Sequence, residues 1–259
     1  MKDDLGNRMK ENYEGRTRIS LPRRTYTIIR LDGKAFHTFT RGMKKPFDET
    51  FMAMMDKTAL MLACEIQGCK MAYIQSDEIS LLLTDFDKIT TDAWFDGQIQ
   101  KMASVSASIA TAHFNMLMAL QKIQIEKKDW PDINLAYFDS RVFTIPDPVE
   151  VENYFIWRQK DAIRNSIAMT AQSLYSHKEL NGKSSNDQQE MIHAKGQNWN
   201  DLPDGFKRGR TIYLEKTPAM CADSFDQSVY YNSNWKDGAL DFLKNRSQLT
   251  KIIPRIIYE

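Results

Sequence analysis

The chain has 259 residues, 42% of them apolar, with 35 basic against 34 acidic side chains and a formal net charge of +1. That length supplies a core for one large domain or two modest ones, and the charge balance excludes a uniformly cationic nucleic-acid binder, so a nucleic acid must meet a local basic patch. Cys64, Cys69 and Cys221 form no CxxC pair, which excludes a disulfide framework or zinc knuckle.

Residues 3–14 are polar and suit a helix, and Arg16, Arg18, Arg23 and Arg24 follow around Pro22. Thr25 to Leu31 reads as a first strand, stopped by Asp32-Gly33, and a loop runs from Asp32 to Lys45. Asp48 is placed to cap a helix whose apolar face carries Phe51, Met54, Met55, Leu62 and Ile66, with Gly68 ending it. Met71–Ile74 and Ile79–Leu83 are apolar runs meeting at Gln75-Ser76-Asp77-Glu78, which reads as a hairpin. A second helix is expected from Trp94 to Gln121, rich in small residues, and then strands at Asn134–Phe138 and Val142–Ile145. The composition shifts near Pro146: Asp147-Pro148-x-Glu150 opens a long helix towards Tyr175. Asn181–Asn186 reads as a polar loop, Gln188–Ala194 as a short helix, Trp199–Gly209 as turn-rich and Thr211–Glu215 as a strand. The tail from Asp223 has no clear periodicity. There is no uninterrupted run of ~18 apolar residues and no apolar leader at the N-terminus, so the expectation is a cytoplasmic chain without a membrane partner.

The order strand, helix, hairpin, helix, strand predicts an α+β fold. It matches the ferredoxin-like βαββαβ arrangement, an antiparallel sheet with both helices on one face. The expected division is 1–145 as the sheet domain and 146–259 as a second region.

Asp32 and Asp77 each fall where a strand ends. Either alone reads as a turn former. On adjacent strands of one sheet they would converge, and paired carboxylates raise a pKa, meet a cation or hold a metal. Hard oxygen ligands of this kind suit Mg²⁺, and two ions ~4 Å apart serve phosphoryl transfer. The loop Lys34 to Phe39 can turn backbone N–H groups towards a triphosphate, with His37 and Lys45 adding charge. On the long helix, Arg158, Asp161 and Asn165 share a face, which reads as a solvated stripe or as the lining of a nucleotide or RNA groove. Arg164 sits beside it, and Lys101 and Arg141 could approach from the sheet side. Gly182-Lys183-Ser184 resembles the end of a P-loop, but His177 stands where the earlier glycine is required. Met52, Met54, Met55 and Met61 read as core filler.

These motifs resemble those of the tRNA-histidine guanylyltransferase superfamily, polymerases that extend in the 3′-to-5′ direction. The resemblance rests on Arg30-Leu31-Asp32-Gly33-Lys34-Ala35-Phe36-His37-Thr38-Phe39, Lys45-Pro46-Phe47-Asp48 and Gln75-Ser76-Asp77-Glu78. It extends through Lys101, Ser108, Asp139-Ser140-Arg141-Val142, Trp157-Arg158-Gln159-Lys160-Asp161 and Lys207-Arg208-Gly209. It implies a polymerase-like palm with a helical finger and C-terminal region. It implies two Mg²⁺ ions held by Asp32, Asp77 and the Gly33 carbonyl, with Glu78 as a further catalytic carboxylate. It implies nucleotide binding by the backbone of Asp32, Gly33, Lys34, Ala35, Phe36 and His37, by Ser76 and Asp77, and by Lys101, Ser108 and Arg141. Lys45 would serve an activation step, and Arg158, Asn165, Lys207 and Arg208 would meet RNA. The reaction implied is activation of a tRNA 5′-monophosphate by ATP or GTP, then attack by the 3′-hydroxyl of an incoming nucleotide. A homotetramer is also implied. One segment departs from the eukaryotic pattern His-Ile-Asn-Asn-Leu-Tyr-Asn-Thr: here Ile163 to Thr170 keeps only Asn165 and Thr170. That points to template-dependent repair of tRNA 5′ ends, with guanosine addition to tRNA-His as the alternative. Two readings compete. A nucleotide cyclase of the GGDEF kind would share the palm, but no such string occurs. A non-enzymatic RNA binder would rely on basic positions such as Arg16, Arg18, Arg23 and Arg24.

Overall fold

The computed structural model describes residues 3–126, 134–214 and 235–256. The hairpin forms where the apolar runs predict it, as β2 (Cys69–Gln75) and β3 (Glu78–Leu83). The first strand, β1 (Tyr26–Gly33), lies beside β3, with Ile28 opposite Leu82, Arg30 opposite Ser80 and Asp32 opposite Glu78. On its other side is β4 (Phe138–Ile145), which sets Arg30 opposite Arg141 and Asp32 opposite Asp139. These four strands have the ferredoxin-like order, and β5 (Arg210–Leu214) and β6 (Trp235–Gly238) extend it to β4-β1-β3-β2-β5-β6, antiparallel throughout. The sheet therefore draws strands from both sides of residue 146.

The expected palm helices share one face. They are α3 (Glu49–Glu65) and α4 (Ile99–Glu126), following α1 (Asp4–Asn12) and a single turn, α2 (Phe36–Phe39). Asp48 caps α3 by accepting the Phe51 N–H at 3.0 Å. Ile29, Leu31, Ile74, Ile79 and Leu81 from the sheet pack with Met55, Leu62, Phe114 and Met118 from these helices. α4 begins at Ile99 rather than Trp94, because Phe95 and Asp96 take positive φ in a separate turn. Although its sequence is interrupted by polar residues, Ile99–Gln121 is long and apolar enough to meet the compositional test for a membrane span. Here its inner side, Met102, Ala110, Phe114 and Met118, packs into the protein core.

The opposite face is also covered, which explains why β2 and β3 read as continuous apolar runs instead of alternating. There α5 (Pro148–Leu174) lays Val151, Tyr154 and Phe155 on Tyr26, Ile28, Met71, Tyr73 and Leu82. Its start is set by Pro148 and by Asp147, whose carboxylate accepts the Val149 and Glu150 N–H groups. After α6 (His177–Leu180), α7 (Ser185–Ala194) begins three residues before the expected Gln188, because Ser184 and Asp187 close a capping box inside the expected loop. The turn-rich stretch contains α8 (Asp204–Arg208). The tail, unassigned from sequence, supplies β6 and α9 (Ser247–Ile252), which buries Leu249 and Ile252 beside α5. Residues 215–234, with Glu215, Cys221 and Asp223, lie outside the described residues. Cys64 and Cys69 are free thiols.

One expected strand is absent. Asn134 to Tyr137 forms no ladder. The Asn115 amide of α4 instead satisfies both backbone groups of Ala136, at 2.8 and 2.9 Å, and Tyr137 gives its carbonyl to Lys34 N–H.

The turn from α8 into β5 needs a glycine. Gly209 has φ +79°, and a Cβ there would meet the Tyr73 hydroxyl and stand 2.7 Å from the Ile74 carbonyl oxygen. Gly209→Ala is expected to destabilise the protein by roughly 2–4 kcal/mol in urea denaturation, from left-handed strain plus overpacking. An unchanged midpoint would contradict this packing.

Candidate active site

The sheet face beneath α5 changes character along its length. Ile28, Leu82 and Phe143 form an apolar row, then Arg30, Ser80 and Arg141, then Asp32, Glu78 and Asp139 at the end nearest the β2–β3 turn. Directly opposed residues share a face, so this gradient follows from register alone.

The turn itself carries Ser76, at φ +47°, and Asp77. The Asp77 carbonyl accepts the Gly33 N–H at 3.2 Å, which ties the turn to the end of β1 and brings Asp77 beside Asp32. Burial raises the Asp77 pKa and the neighbouring Asp32 charge raises it further, while hydrogen bonds from its own backbone and from Ser76 oppose the shift. No basic side chain among the described residues offsets it. Asp32 is half-exposed, with Arg141 Nη2 at 3.9 Å.

Beyond Asp32 the chain turns sharply. Gly33 leaves no room for a Cβ, which would strike the Phe36 ring. Ala35 takes φ +55°, and α2 starts there without a side-chain cap, so its first amides are free for an anion. The Phe36 ring itself is core, packed against Phe39, Phe51, Phe114 and Phe138. Only its backbone is available to a nucleotide. His37 is exposed, its Nε2 3.0 Å from the Thr38 hydroxyl.

On the other side of Ser76 lies an open cleft. Lys44 to Asp48, Gln75, Ser76, Asn165, Met169, Phe206 and Arg210 line it. Phe47 and Phe206 pack at its wall with ring centroids 4.8 Å apart. Lys45 and Asn165 therefore reach the site by way of this cleft. Sequence reading missed it, because its walls come from four distant segments with no common motif. Met52, read as core filler, is one of its lining residues, whereas Met54 and Met55 are buried as expected.

Several expected site residues are placed elsewhere. Glu78 is not an open ligand: Arg158 holds it with Nε–Oε1 2.7 Å and Nη2–Oε2 2.8 Å, and Arg30 Nε stands 3.7 Å away. Capture by the helix above is the cause, since Glu78 shares its sheet face with its register partner Asp32. Glu78 is the first residue of β3 and points with Ser80 under α5, whereas Asp77 belongs to the turn. Arg158 is thereby committed, also pairing with Asp161 at 2.9 Å, and is buried away from RNA. Lys207 is likewise buried, its Nζ bonded to the Asn200 carbonyl at 2.5 Å and 3.1 Å from Asp204. Arg208 is taken by Asp204 and Asp241. Lys101 and Ser108 lie on α4, across the sheet from α5. Lys101 Nζ sits over the Phe95 ring at 4.6 Å, next to Met102, which lines a small cavity with Thr27 and Leu83 at the far end of the sheet. Ser108 is exposed and returns its hydroxyl to the Ser104 carbonyl at 2.8 Å. Of the early arginines, Arg23 is engaged by Asp85 at 2.6 Å.

The arrangement fits Mg²⁺. Asp32 and Asp77 offer hard oxygens side by side, both half-buried and Asp77 without a cationic partner among the described residues, and the Gly33 carbonyl is adjacent. Few protein ligands suffice, because this ion keeps waters and phosphate oxygens. Antiparallel palm, converging aspartates, anion-receiving turn and the cleft beside them together define a nucleotidyltransferase.

Comparison with known proteins gives the family. The tRNAHis guanylyltransferase family profile matches residues 6–146, and the chain belongs to that family. A probable tRNA(His) guanylyltransferase of Drosophila melanogaster is 30% identical over 74% of this chain and 67% of its own length. The tRNA(His) guanylyltransferase of Saccharomyces cerevisiae is 29% identical over 72% of this chain and 81% of its own length. Among solved structures, a bacterial tRNA(His) guanylyltransferase-like protein in complex with ATP aligns with TM-score 0.82 and 42% identity, covering 96% of this chain and 99% of that one. The same description in complex with GTP aligns with TM-score 0.75 and 40% identity, again covering 96% and 99%.

Proposed function

We propose that this chain adds guanosine to the 5′ end of tRNA-His. The observation that carries the proposal is the convergence of Asp32 and Asp77 between the α2 turn and the cleft. The activity for which the Drosophila and yeast relatives are named favours guanosine addition over general repair. In this reading the cleft takes the base of the activating ATP or GTP, and the amides of residues 35–37 with Ser76 take its phosphates. Lys45 lies at the cleft mouth, where it would offset phosphate charge during activation. Asp32 and Asp77 bind Mg²⁺, which when present neutralises phosphate charge and favours ionisation of an attacking hydroxyl. Both stages are in-line displacements at phosphorus, so positioning and charge neutralisation carry the catalysis. In the first, a tRNA 5′-phosphate oxygen displaces pyrophosphate. In the second, a nucleotide 3′-hydroxyl displaces the nucleoside monophosphate.

One observation supports template-dependent 5′ repair as a second reading. In the departing segment Ser166, Ile167 and Thr170 are buried, with Trp199 donating to the Ser166 hydroxyl at 3.1 Å, so only Asn165 of the remaining family pattern faces the cleft. The test is extension of two substrates with labelled nucleotides: tRNA-His lacking its extra 5′ guanosine, and several tRNAs lacking their first nucleotide. Preference for the first is expected. Faster extension of truncated tRNAs, by whichever nucleotide pairs with the opposite strand, would select repair. No extension of either would overturn both readings.

A further inference from the structure

We propose that the exposed indole of Trp157 is the stacking platform for the 5′-terminal base of the RNA. The inference rests on the reading above, and names how that site holds its polynucleotide substrate. Trp157 is 47% exposed, whereas Trp94 and Trp199 are each 9% exposed. Its ring is nevertheless fixed. Tyr154 meets it edge-on at 5.9 Å, and the Arg158 guanidinium lies over it at 4.4 Å. Both supports are themselves locked, Tyr154 by the Ser80 hydroxyl at 2.9 Å and Arg158 by the bidentate bond to Glu78. An aromatic surface held in one orientation loses little freedom when a base stacks on it.

Its position links it to the reacting end. The indole rests on Arg158, Arg158 grips Glu78, and Glu78 is the register partner of Asp32. Further cationic groups lie on its helix and on the sheet face beneath that helix. Arg141 stands on the same sheet face with its side chain 52% exposed, opposite Arg30, whose Nε is turned inward 3.7 Å from Glu78. On α5, Lys160 and Arg164 follow Trp157 at i+3 and i+7 and are exposed, Arg164 with one Nη on Asp161 at 2.6 Å, so they share its side of the helix. An aromatic ring with flanking cations that track a phosphate backbone is the composition that binds single nucleic-acid strands and ends. Stacking tolerates any base, which suits a terminus whose identity is read by pairing or by another contact.

The test uses the full chain and a 5′-phosphorylated RNA hairpin carrying an acceptor-stem end. Trp157→Leu keeps an apolar cover over Arg158 but removes the stacking surface, while Trp157→Phe keeps an aromatic ring. Trp157→Leu is expected to weaken hairpin binding in fluorescence anisotropy by about 10- to 100-fold. ATP affinity and the thermal midpoint should not move, and Trp157→Phe should recover most of the loss. An abasic 5′-terminal nucleotide should weaken wild-type binding by a similar factor and make Trp157→Leu cost nothing more. A merely structural lid would not respond to the abasic end. Wild-type affinity in Trp157→Leu, or parallel losses of ATP and RNA binding with a lower midpoint, would overturn the assignment. A wild-type protein that binds the hairpin, shows these effects and never extends RNA would discard the proposed reaction while upholding Trp157. An extending protein indifferent to Trp157→Leu would do the reverse.

Discussion

Replacing Asp77 with asparagine is expected to slow nucleotide addition by about a thousandfold and yet stabilise the metal-free protein. In the proposed reaction the rate falls because the variant lacks a charge that would hold Mg²⁺ against phosphates, an effect of ~4 kcal/mol on the barrier. The stability gain has a separate origin. Burial and the Asp32 charge both raise the Asp77 pKa, and no basic group compensates. The folded protein therefore binds this proton more tightly than the unfolded chain. The contribution of Asp77 to stability is fully present below its unfolded pKa of ~3.9 and is lost as pH rises through the higher folded value. Wild-type protein in EDTA should gain in thermal midpoint on moving from pH 7 towards pH 4 relative to Asp77→Asn, which lacks this titration. Two observations would reject the account: undiminished extension by the variant, or identical pH profiles for the two proteins.

Arg158→Ala should produce the largest loss of stability, roughly 3–5 kcal/mol in urea denaturation, because it strands Glu78 in the interior. Glu78 is raised above the usual carboxylate range by burial, against the pull of Arg158 first and Arg30 second. Without Arg158 the rise becomes steeper, and the folded state holds the Glu78 proton to higher pH. The variant should thus be less destabilised at pH 5 than at pH 8, since the Glu78 contribution is lost as pH rises through its folded pKa. Arg158→Lys should not rescue fully, because a single ammonium cannot reproduce the two-point contact at 2.7 and 2.8 Å. Combining Arg158→Met with Glu78→Leu should recover much of the stability, as apolar replacement of a buried pair often does. A loss under ~1 kcal/mol in Arg158→Ala would show that this pair does not fasten α5 to the hairpin.

Asp48, Asp147 and Pro148 announced their helices because capping chemistry is local, and the observed bonds to Phe51, Val149 and Glu150 follow. The hairpin was equally plain, since Ser76-Asp77 separates two runs of mainly apolar residues, Met71–Ile74 and Ile79–Leu83. Asn134 to Tyr137 misled because an apolar, extended stretch reads as a strand whether a ladder or the side chain of Asn115 satisfies its backbone. The tail gave no signal: β6 and α9 are held by partners far away in sequence, β5 and α5. Glu78 was legible in principle. Parity with Ser80 and Leu82 put it on the same sheet face as Asp32, but that Arg158 occupies it there needed α5. Helix phase likewise exposes Lys101 and Ser108, yet which face of the sheet receives α4 is a matter of topology.

The residues alone determined the palm order and the meeting of Asp32 with Asp77, because strand ends, turns and caps are governed by interactions within a few positions. Tertiary structure alone decided which charges stay available. Arg158, Lys207 and Arg208 carry the same guanidinium or ammonium groups as any phosphate ligand, and only the carboxylates and carbonyls packed against them commit those groups to the interior. Desolvation is the reason. A buried cation must find its counter-charge inside the fold, and that partner is chosen by packing across distant segments rather than by the neighbouring sequence.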